Sequence, residues 1–239
     1  MNSLPEFSFR HLNTPQSMLA QELWSWVEKN PGEHLRILDC GSGSGNMWTV
    51  GRLGEFVKAN SQRLSVSLLD AASPEAKLDP AIFVNVVGNL PQALSSIPDD
   101  SFDVVLAFDV IEHLEKSNGY LLLYEMDRVG RDCQIIFTPT GFLWQPPSRN
   151  NPHNAHISGW FPRELRLLGW KRQTGLMGFK WLMAPYGAQR FSSRSKIASV
   201  LLDLGMRLSQ VFARPFPSLA HSFFAVKKSK NPRLLNQEL

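Results

Sequence analysis

Residues 36–46 read RILDCGSGSGN, so an apolar strand ends in an acid and then in a glycine at every second position. Glycine adopts positive φ without strain and has no Cβ to hold a ligand away from the backbone. Gly41, Gly43 and Gly45 therefore predict a turn that a ligand approaches closely. A dinucleotide fingerprint needs G-x-G-x-x-G, and its third glycine falls on Asn46. NAD is therefore the weaker interpretation of this turn.

Apolar runs elsewhere in the chain predict a buried sheet. They are bounded by turn residues or acids, which is typical of parallel strands buried on both faces. Helices are predicted at 46–59 and 120–129, and a capped helix begins at Thr14-Pro15. This alternation predicts an α/β fold with a Rossmann-like, doubly wound, mostly parallel seven-stranded sheet and helices on both faces. The predicted strands are 35–38, 64–69, 82–87, 102–108, 134–138, 170–181 and 222–227.

Length and composition predict one globular domain. The chain has 239 residues, of which 43% are hydrophobic and 19% charged, so it can bury a large single core. The predicted organisation is a helical lead-in at 1–33, a cofactor-binding core at 34–180, a helical insertion or lid at 181–220, and a last strand with a basic tail at 221–239. We expect a cytoplasmic protein, because no secretory signal and no run of 18 apolar residues is present.

Polar side chains follow four of the predicted strands. They are Asp39, Asp70, Asn89 and Asp109. In an open α/β sheet the ligand crevice lies beyond the carboxyl ends of the strands, so these side chains are expected to face one site. For any one acid taken alone, the alternative is a helix cap or a turn.

The glycine turn and the block FDVVLAFDVIEHL at 102–114 resemble the class I S-adenosylmethionine-dependent methyltransferases. The likeness is to the small-molecule branch called type 11, which includes enzymes of quinone biosynthesis, and it spans roughly 35–138. It implies S-adenosyl-L-methionine as the cofactor and a small molecule as the methyl acceptor. A weaker likeness continues through the block beginning at His156.

The resemblance also implies roles for single residues. Asp39 and the three glycines match the positions that hold the methionine portion of the cofactor. Asp70 matches the acid that accepts hydrogen bonds from both ribose hydroxyls, which suits a carboxylate. The position of Asn89 usually carries an Asp that binds the adenine amino group, and the Asn89 amide oxygen is still an acceptor.

The predicted reaction is O-methylation of a hydroxylated sugar, a lipid-linked acceptor or a quinol. A hydroxyl acceptor benefits from a base, and histidine ionises near neutral pH. His113 is the first candidate for that base and His156 the second. If the segment after the fourth strand is helical, Asp109 and His113 share a face and the carboxylate orients the imidazole. Asp109 is therefore a candidate for both cofactor binding and catalysis.

No metal is expected from the local spacing of ligands. His153 and His156 form an H-x-x-H pair, but no cysteine or third acid stands at the usual distance along the sequence. The aromatic residues Trp144, Trp160 and Phe161 are expected either in core or loop packing or in a wall of the substrate site.

Other functional classes stay open. A binding or scaffold protein could keep the fold without turnover, and an oxidoreductase is disfavoured by the missing glycine at Asn46. No nucleic-acid partner is expected, since no Asn-Pro-Pro-Tyr or Asp-Pro-Pro-Tyr signature follows the fourth strand. Apolar and basic residues at helical spacing over 194–214 predict an amphipathic helix. It would pack on the sheet, form a dimer face or rest on an anionic membrane.

Overall fold

The computed structural model describes residues 14–147, 154–180, 205 and 208–228. Its strands are β1 (Leu35–Cys40), β2 (Leu64–Asp70), β3 (Phe83–Val87), β4 (Phe102–Phe108), β5 (Gly130–Pro139), β6 (Arg172–Phe179) and β7 (Ala220–Lys228). Within the described residues they form one sheet in the order β3-β2-β1-β4-β5-β7-β6. Strands β1 to β5 pair in parallel, and β7 is antiparallel to both of its neighbours. The predicted doubly wound, mostly parallel seven-stranded sheet is confirmed.

Helices cover both faces of this sheet. They are α1 (Pro15–Lys29), α2 (Gly51–Asn60), α3 (Lys116–Val129) and α4 (Pro162–Leu167), and residues 208–213 are also helical. Leu23 of α1 and Phe56 of α2 lie in one apolar core, whereas Met126 of α3 and Leu165 of α4 lie in the other. Because both faces of the central strands are buried, their sequences read as continuous apolar runs.

The helix predicted at 46–59 is interrupted. Asn46–Thr49 is a single turn of 3-10 helix, and α2 begins only after Val50, whose backbone is extended. The extended residue separates the two helical pieces and leaves Trp48 buried beneath the glycine turn, with its indole on Asp39. The predicted first helix is confirmed, including its Thr14 cap.

The register of the sheet sets where the site lies. Cys40, the last residue of β1, is paired with Leu69 of β2 and with Ala107 of β4. The chain therefore leaves all three strands at the same edge of the sheet. Residues that follow these strands can reach one another there, as the sequence predicted.

The predicted insertion at 181–220 and the amphipathic helix at 194–214 lie largely outside the described residues. In the part that is described, Leu208, Val211 and Phe212 are helical and more than half exposed. No described helix combines the length and the apolar character that crossing a bilayer requires.

Candidate active site

The glycine turn after β1 adopts the left-handed backbone that its sequence predicted. The φ angles of Gly41, Gly43 and Gly45 are 75°, 53° and 72°. A Cβ added to Gly41 would lie 2.4 Å from Val110 Cγ2, whereas one added to Gly43 would meet nothing within 4 Å. The Gly43 N–H donates to Asp70 Oδ2 at 2.8 Å. The turn is therefore tightly packed at Gly41 and open to a ligand at Gly43.

Asp39, the penultimate residue of β1, is buried below this turn. Its Oδ2 accepts a hydrogen bond from Trp48 Nε1 at 2.8 Å. Burial raises the pKa of Asp39 to about 7; the Trp48 bond opposes that rise and the nearby Asp70 adds to it. A positive group placed beside Asp39 would favour its charged form.

A cavity of about 290 Å³ opens at this edge of the sheet. Its wall includes Gly41, Gly43, Asp70, Asn89, Asp109 and His113. Asp70 is the last residue of β2 and the others follow β1, β3 and β4, so the cavity lies at the carboxyl ends of the strands. The structure thus brings most of the predicted cofactor residues to one place, with Asp39 behind the wall.

The segment after β4 is not the α-helix that would place Asp109 and His113 on one face. Asp109 has a φ of 52°, and its N–H donates to Phe137 O at 2.9 Å. Ile111–His113 then form a single 3-10 turn. This backbone replaces the spacing of an α-helix, so the Asp109 carboxyl lies beside Glu112. The expected orientation of His113 by Asp109 is therefore corrected, because another group holds that imidazole.

Glu112 and Asp109 form a pair of neighbouring carboxyls. Glu112 is buried, and its Oε2 accepts a hydrogen bond from Thr138 Oγ1 at 2.9 Å. Burial, followed by the nearby Asp109, raises the pKa of Glu112. Asp109 lines the cavity, and burial raises its pKa to about 6, while its hydrogen bond with Glu112 opposes that rise. Two carboxylates this close favour sharing a proton or a cation.

His113, which lines the cavity, and His156 lie against each other. Their ring centroids are 4.7 Å apart and the rings are nearly perpendicular. His113 Nδ1 lies 3.0 Å from Ala155 O, and His156 Nδ1 lies 2.7 Å from Leu143 O. A carbonyl only accepts, so each Nδ1 carries the proton and each Nε2 keeps its lone pair. Burial lowers the pKa of both histidines.

A network of hydrogen bonds places His156 over His113. The backbone N–H groups of Ile157 and Ser158 both donate to Glu112 O, at 2.9 and 3.1 Å. The side chains of Ser158 and Trp160 both donate to Ile111 O, at 3.0 and 2.9 Å. The segment after the long loop is therefore fixed directly on the 3-10 turn that carries Glu112 and His113.

Comparison with known proteins identifies the domain. A family model described as a methyltransferase domain matches residues 38–137, which include the glycine turn and the Glu112 turn. This segment is a class I methyltransferase domain. A search of curated proteins found no match to the chain.

Two solved structures share the fold of this methyltransferase. One is a SAM-dependent methyltransferase from Archaeoglobus fulgidus, with 16% identity and a TM-score of 0.50 over 90% of this chain and 94% of that one. The other is the DszA carbon methyltransferase, with 13% identity and a TM-score of 0.54 over 91% of this chain and 54% of that one. At this level of identity the two structures support the fold alone.

The methyltransferase uses S-adenosyl-L-methionine as its cofactor, and the residues that line the cavity suit that molecule. Gly43 leaves open space for close approach. Asp70 presents a carboxylate to the cavity and Asn89 an amide, which are suitable acceptors for hydroxyl and amino groups.

Some residues of the methyltransferase site were not predicted from its sequence. The sequence pattern assigns no role to Glu112, and nothing in it identifies Trp48 as the partner of Asp39. His221 of β7 also lies near His156, and burial lowers its pKa to about 4, with His156 adding to the effect. Only the three-dimensional contacts of β5, β7 and the loop reveal these neighbours, since sequence spacing carries no signal for them.

The aromatic residues considered for the substrate site divide between core and surface. Trp160 is fully buried against α3, whereas Trp144 and Phe161 are 69% and 51% exposed. His153 of the H-x-x-H pair lies outside the described residues.

Proposed function

We propose that this methyltransferase transfers a methyl group to a hydroxyl of a small molecule. The observation that carries the proposal is a pair of neutral imidazoles, His113 in the wall of the cavity and His156 packed against it. Among the described residues, neither Nε2 forms a hydrogen bond, so both lone pairs remain available. A hydroxyl has a pKa well above neutral and gains from a base at that position.

We assign the cofactor residues as the family resemblance implies. Asp39 and the turn of Gly41, Gly43 and Gly45 hold the methionine portion. Asp70 accepts hydrogen bonds from the ribose hydroxyls, and Asn89 accepts one from the adenine amino group. The open space at Gly43 supports this placement, because no side chain there keeps a ligand away from the backbone.

The chemical step needs little from the protein beyond alignment and a base. Bound S-adenosyl-L-methionine supplies a methyl group already activated by its sulfonium. The walls of the cavity hold the acceptor in line with the methyl group, which lowers the entropic part of the barrier. His113 or His156 accepts the hydroxyl proton at Nε2 as the oxygen takes the methyl group. Asp109, which lines the cavity beside Glu112, contributes a negative charge near that proton.

The acceptor class that we propose is a hydroxylated sugar, a lipid-linked molecule or a quinol. Exposed Phe142, Trp144 and Phe161 near the histidine end support an acceptor with an apolar portion. The exposed apolar residues of the helix at 208–213 support a peripheral membrane contact as the route for such an acceptor. A protein that binds the cofactor without turnover is the alternative.

Two measurements test the proposal. Isothermal titration with S-adenosylhomocysteine should show binding to the full chain. A methyl-transfer assay with radiolabelled S-adenosyl-L-methionine should then label at least one member of a panel of hydroxylated sugars, polyprenyl lipids and quinols. Cofactor binding without transfer to any hydroxyl in that panel, while amine or thiol acceptors are labelled, would reject O-methylation.

A further inference from the structure

The side chains of Glu112, His113 and His156 converge beside the cavity, whose wall includes His113. One potential ligand atom from each lies within 4.8 Å of the other two. Ligands that share one cation at about 2.1 Å are separated by about 3–3.5 Å, so a closure of little more than an ångström would bring all three onto one ion. Two imidazoles and a carboxylate suit divalent transition cations such as Zn²⁺, Mn²⁺ and Fe²⁺.

The two imidazoles are already oriented as metal ligands are. Each Nδ1–H donates to a backbone carbonyl, from Ala155 for His113 and from Leu143 for His156. Such a bond fixes the tautomer and the plane of the ring and leaves Nε2 as the electron-pair donor. Ala155 lies next to the segment that is hydrogen-bonded to the 3-10 turn, and the segment of Leu143 is bonded to His156 through Gln145 O, so both orienting groups are backbone carbonyls.

The Glu112 carboxyl has one oxygen that is free to face a cation. Thr138 holds Oε2 of Glu112, whereas Oε1 is buried and contacts no hydrogen-bond donor in the described residues. Asp109 is the neighbouring carboxyl, and in the metal-free protein the two carboxyls interact through a shared proton, which a cation would displace. A buried carboxylate oxygen normally has a partner, and a cation between Glu112 and the two imidazoles would supply one.

We propose that Glu112, His113 and His156 bind a divalent transition-metal cation, which in turn coordinates the hydroxyl oxygen of the methyl acceptor. This inference rests on the proposed O-methylation and specifies how the hydroxyl is activated. Coordination lowers the pKa of the hydroxyl, and its proton passes to water in the cavity. The oxygen attacks the methyl carbon, the carbon–sulfur bond breaks, and the electron pair remains on sulfur. An Nε2 that coordinates the cation cannot also take a proton, so the imidazoles then act through the metal.

The binding test uses the full chain without a histidine tag, treated with a chelator and then dialysed. Titration with Co²⁺ should produce visible absorption bands from a site with nitrogen ligands, and Zn²⁺ should displace the Co²⁺ with a stoichiometry of one per chain. Glu112→Gln and His156→Gln should each weaken Zn²⁺ binding by about 100-fold or more, and Thr138→Val by about 10-fold because it loosens Glu112.

Matched controls separate this site from surface binding and from misfolding. His34 is an exposed histidine at the start of β1, and His34→Gln should leave Zn²⁺ affinity unchanged. Each variant should keep its thermal unfolding transition and its affinity for S-adenosylhomocysteine, which depends on the other end of the cavity. Absence of Co²⁺ bands, or equal Zn²⁺ affinity in the parent chain and in both Glu112→Gln and His156→Gln, would overturn the proposal.

Turnover with and without metal distinguishes the cation site from the proposed O-methylation. Chelation should abolish O-methylation, and Zn²⁺ or Mn²⁺ should restore it. If the metal-free chain keeps full turnover, the imidazoles act as bases and the metal proposal is wrong, while O-methylation stands. If the cation binds at the three residues but no hydroxyl is methylated, the cation site stands and O-methylation fails.

Discussion

The two ends of the cavity are built in different ways. At the cofactor end, Asp39, Gly43 and Asp70 each lie at or directly after a strand, and parallel pairing alone brings them together. At the other end, Glu112 and His156 are far apart in the sequence. They meet because the segment after the long loop is hydrogen-bonded onto the 3-10 turn.

The two ends of the cavity therefore depend on different features of the chain. The cofactor end depends on backbone conformation and sheet register, which sequence patterns encode locally. The histidine end depends on contacts between distant segments. We therefore expect substitutions at the cofactor end to change cofactor affinity, and substitutions at the histidine end to change turnover with little effect on that affinity.

The largest expected effect is at the histidine end. His113→Gln and His156→Gln should each lower turnover by about 10²–10⁴ with a working hydroxyl acceptor, because activation of the hydroxyl is worth that much. Single-turnover assays measure the loss, and titration with S-adenosylhomocysteine should give the affinity of the parent chain. The neighbouring His221→Gln serves as a control with a smaller effect. Full turnover in both variants would show that proximity alone drives the reaction.

A smaller effect is expected at the cofactor end. Asp70→Ala should weaken cofactor binding by about 1–3 kcal/mol, because charged hydrogen bonds to the ribose are lost. Calorimetric titration measures the change, and Glu28→Ala, which removes an exposed carboxylate on α1, should not alter it. If Asp70→Ala bound the cofactor normally, the ribose contact would have to lie elsewhere and the division between the two ends would weaken.

The pH dependence of cofactor binding is a further test of the cofactor end. The raised pKa of Asp39 means that it loses its proton only near pH 7. The ammonium of the cofactor favours the ionised form, so affinity should rise about tenfold between pH 6 and 8 and then level off. In the cofactor-free protein the sign is opposite. The folded state holds the proton more tightly than the unfolded state, so the free energy of unfolding should fall as pH rises from about 4 to about 7.

Asp39→Asn is the variant that checks this assignment. The asparagine keeps an oxygen for the Trp48 indole but cannot ionise. Titrations at several pH values should therefore give a nearly flat affinity, and thermal unfolding should lose the corresponding slope. A pH profile identical to that of the parent chain would instead assign the titration to another group, such as Asp109.

The sequence predicted the fold and the conformation of the glycine turn well, for physical reasons that act locally. Alternating glycines require positive φ, and strands buried on both faces read as apolar runs, so the turn and the sheet followed. The position of Asp109 was predicted, but its partner was not, because a left-handed residue and a 3-10 turn replaced the assumed helix. The cluster with His156 could not be predicted, since the hydrogen bonds of Ser158 and Trp160 to Ile111 have no signature in residue spacing.

The smallest expected effect concerns the helix at 208–213. This helix contributes to function only if the methyl acceptor is linked to a membrane. Leu208 and Phe212 are exposed on one face, and Arg214 follows them. An apolar face beside basic residues binds anionic bilayers weakly. Co-sedimentation with vesicles should therefore increase with anionic lipid and decrease with salt. The double variant Leu208→Asp and Phe212→Asp should reduce it, while a matched change at exposed Leu167 should not. A parent chain that stays in solution at low salt would remove the membrane contact and leave both ends of the cavity as they are.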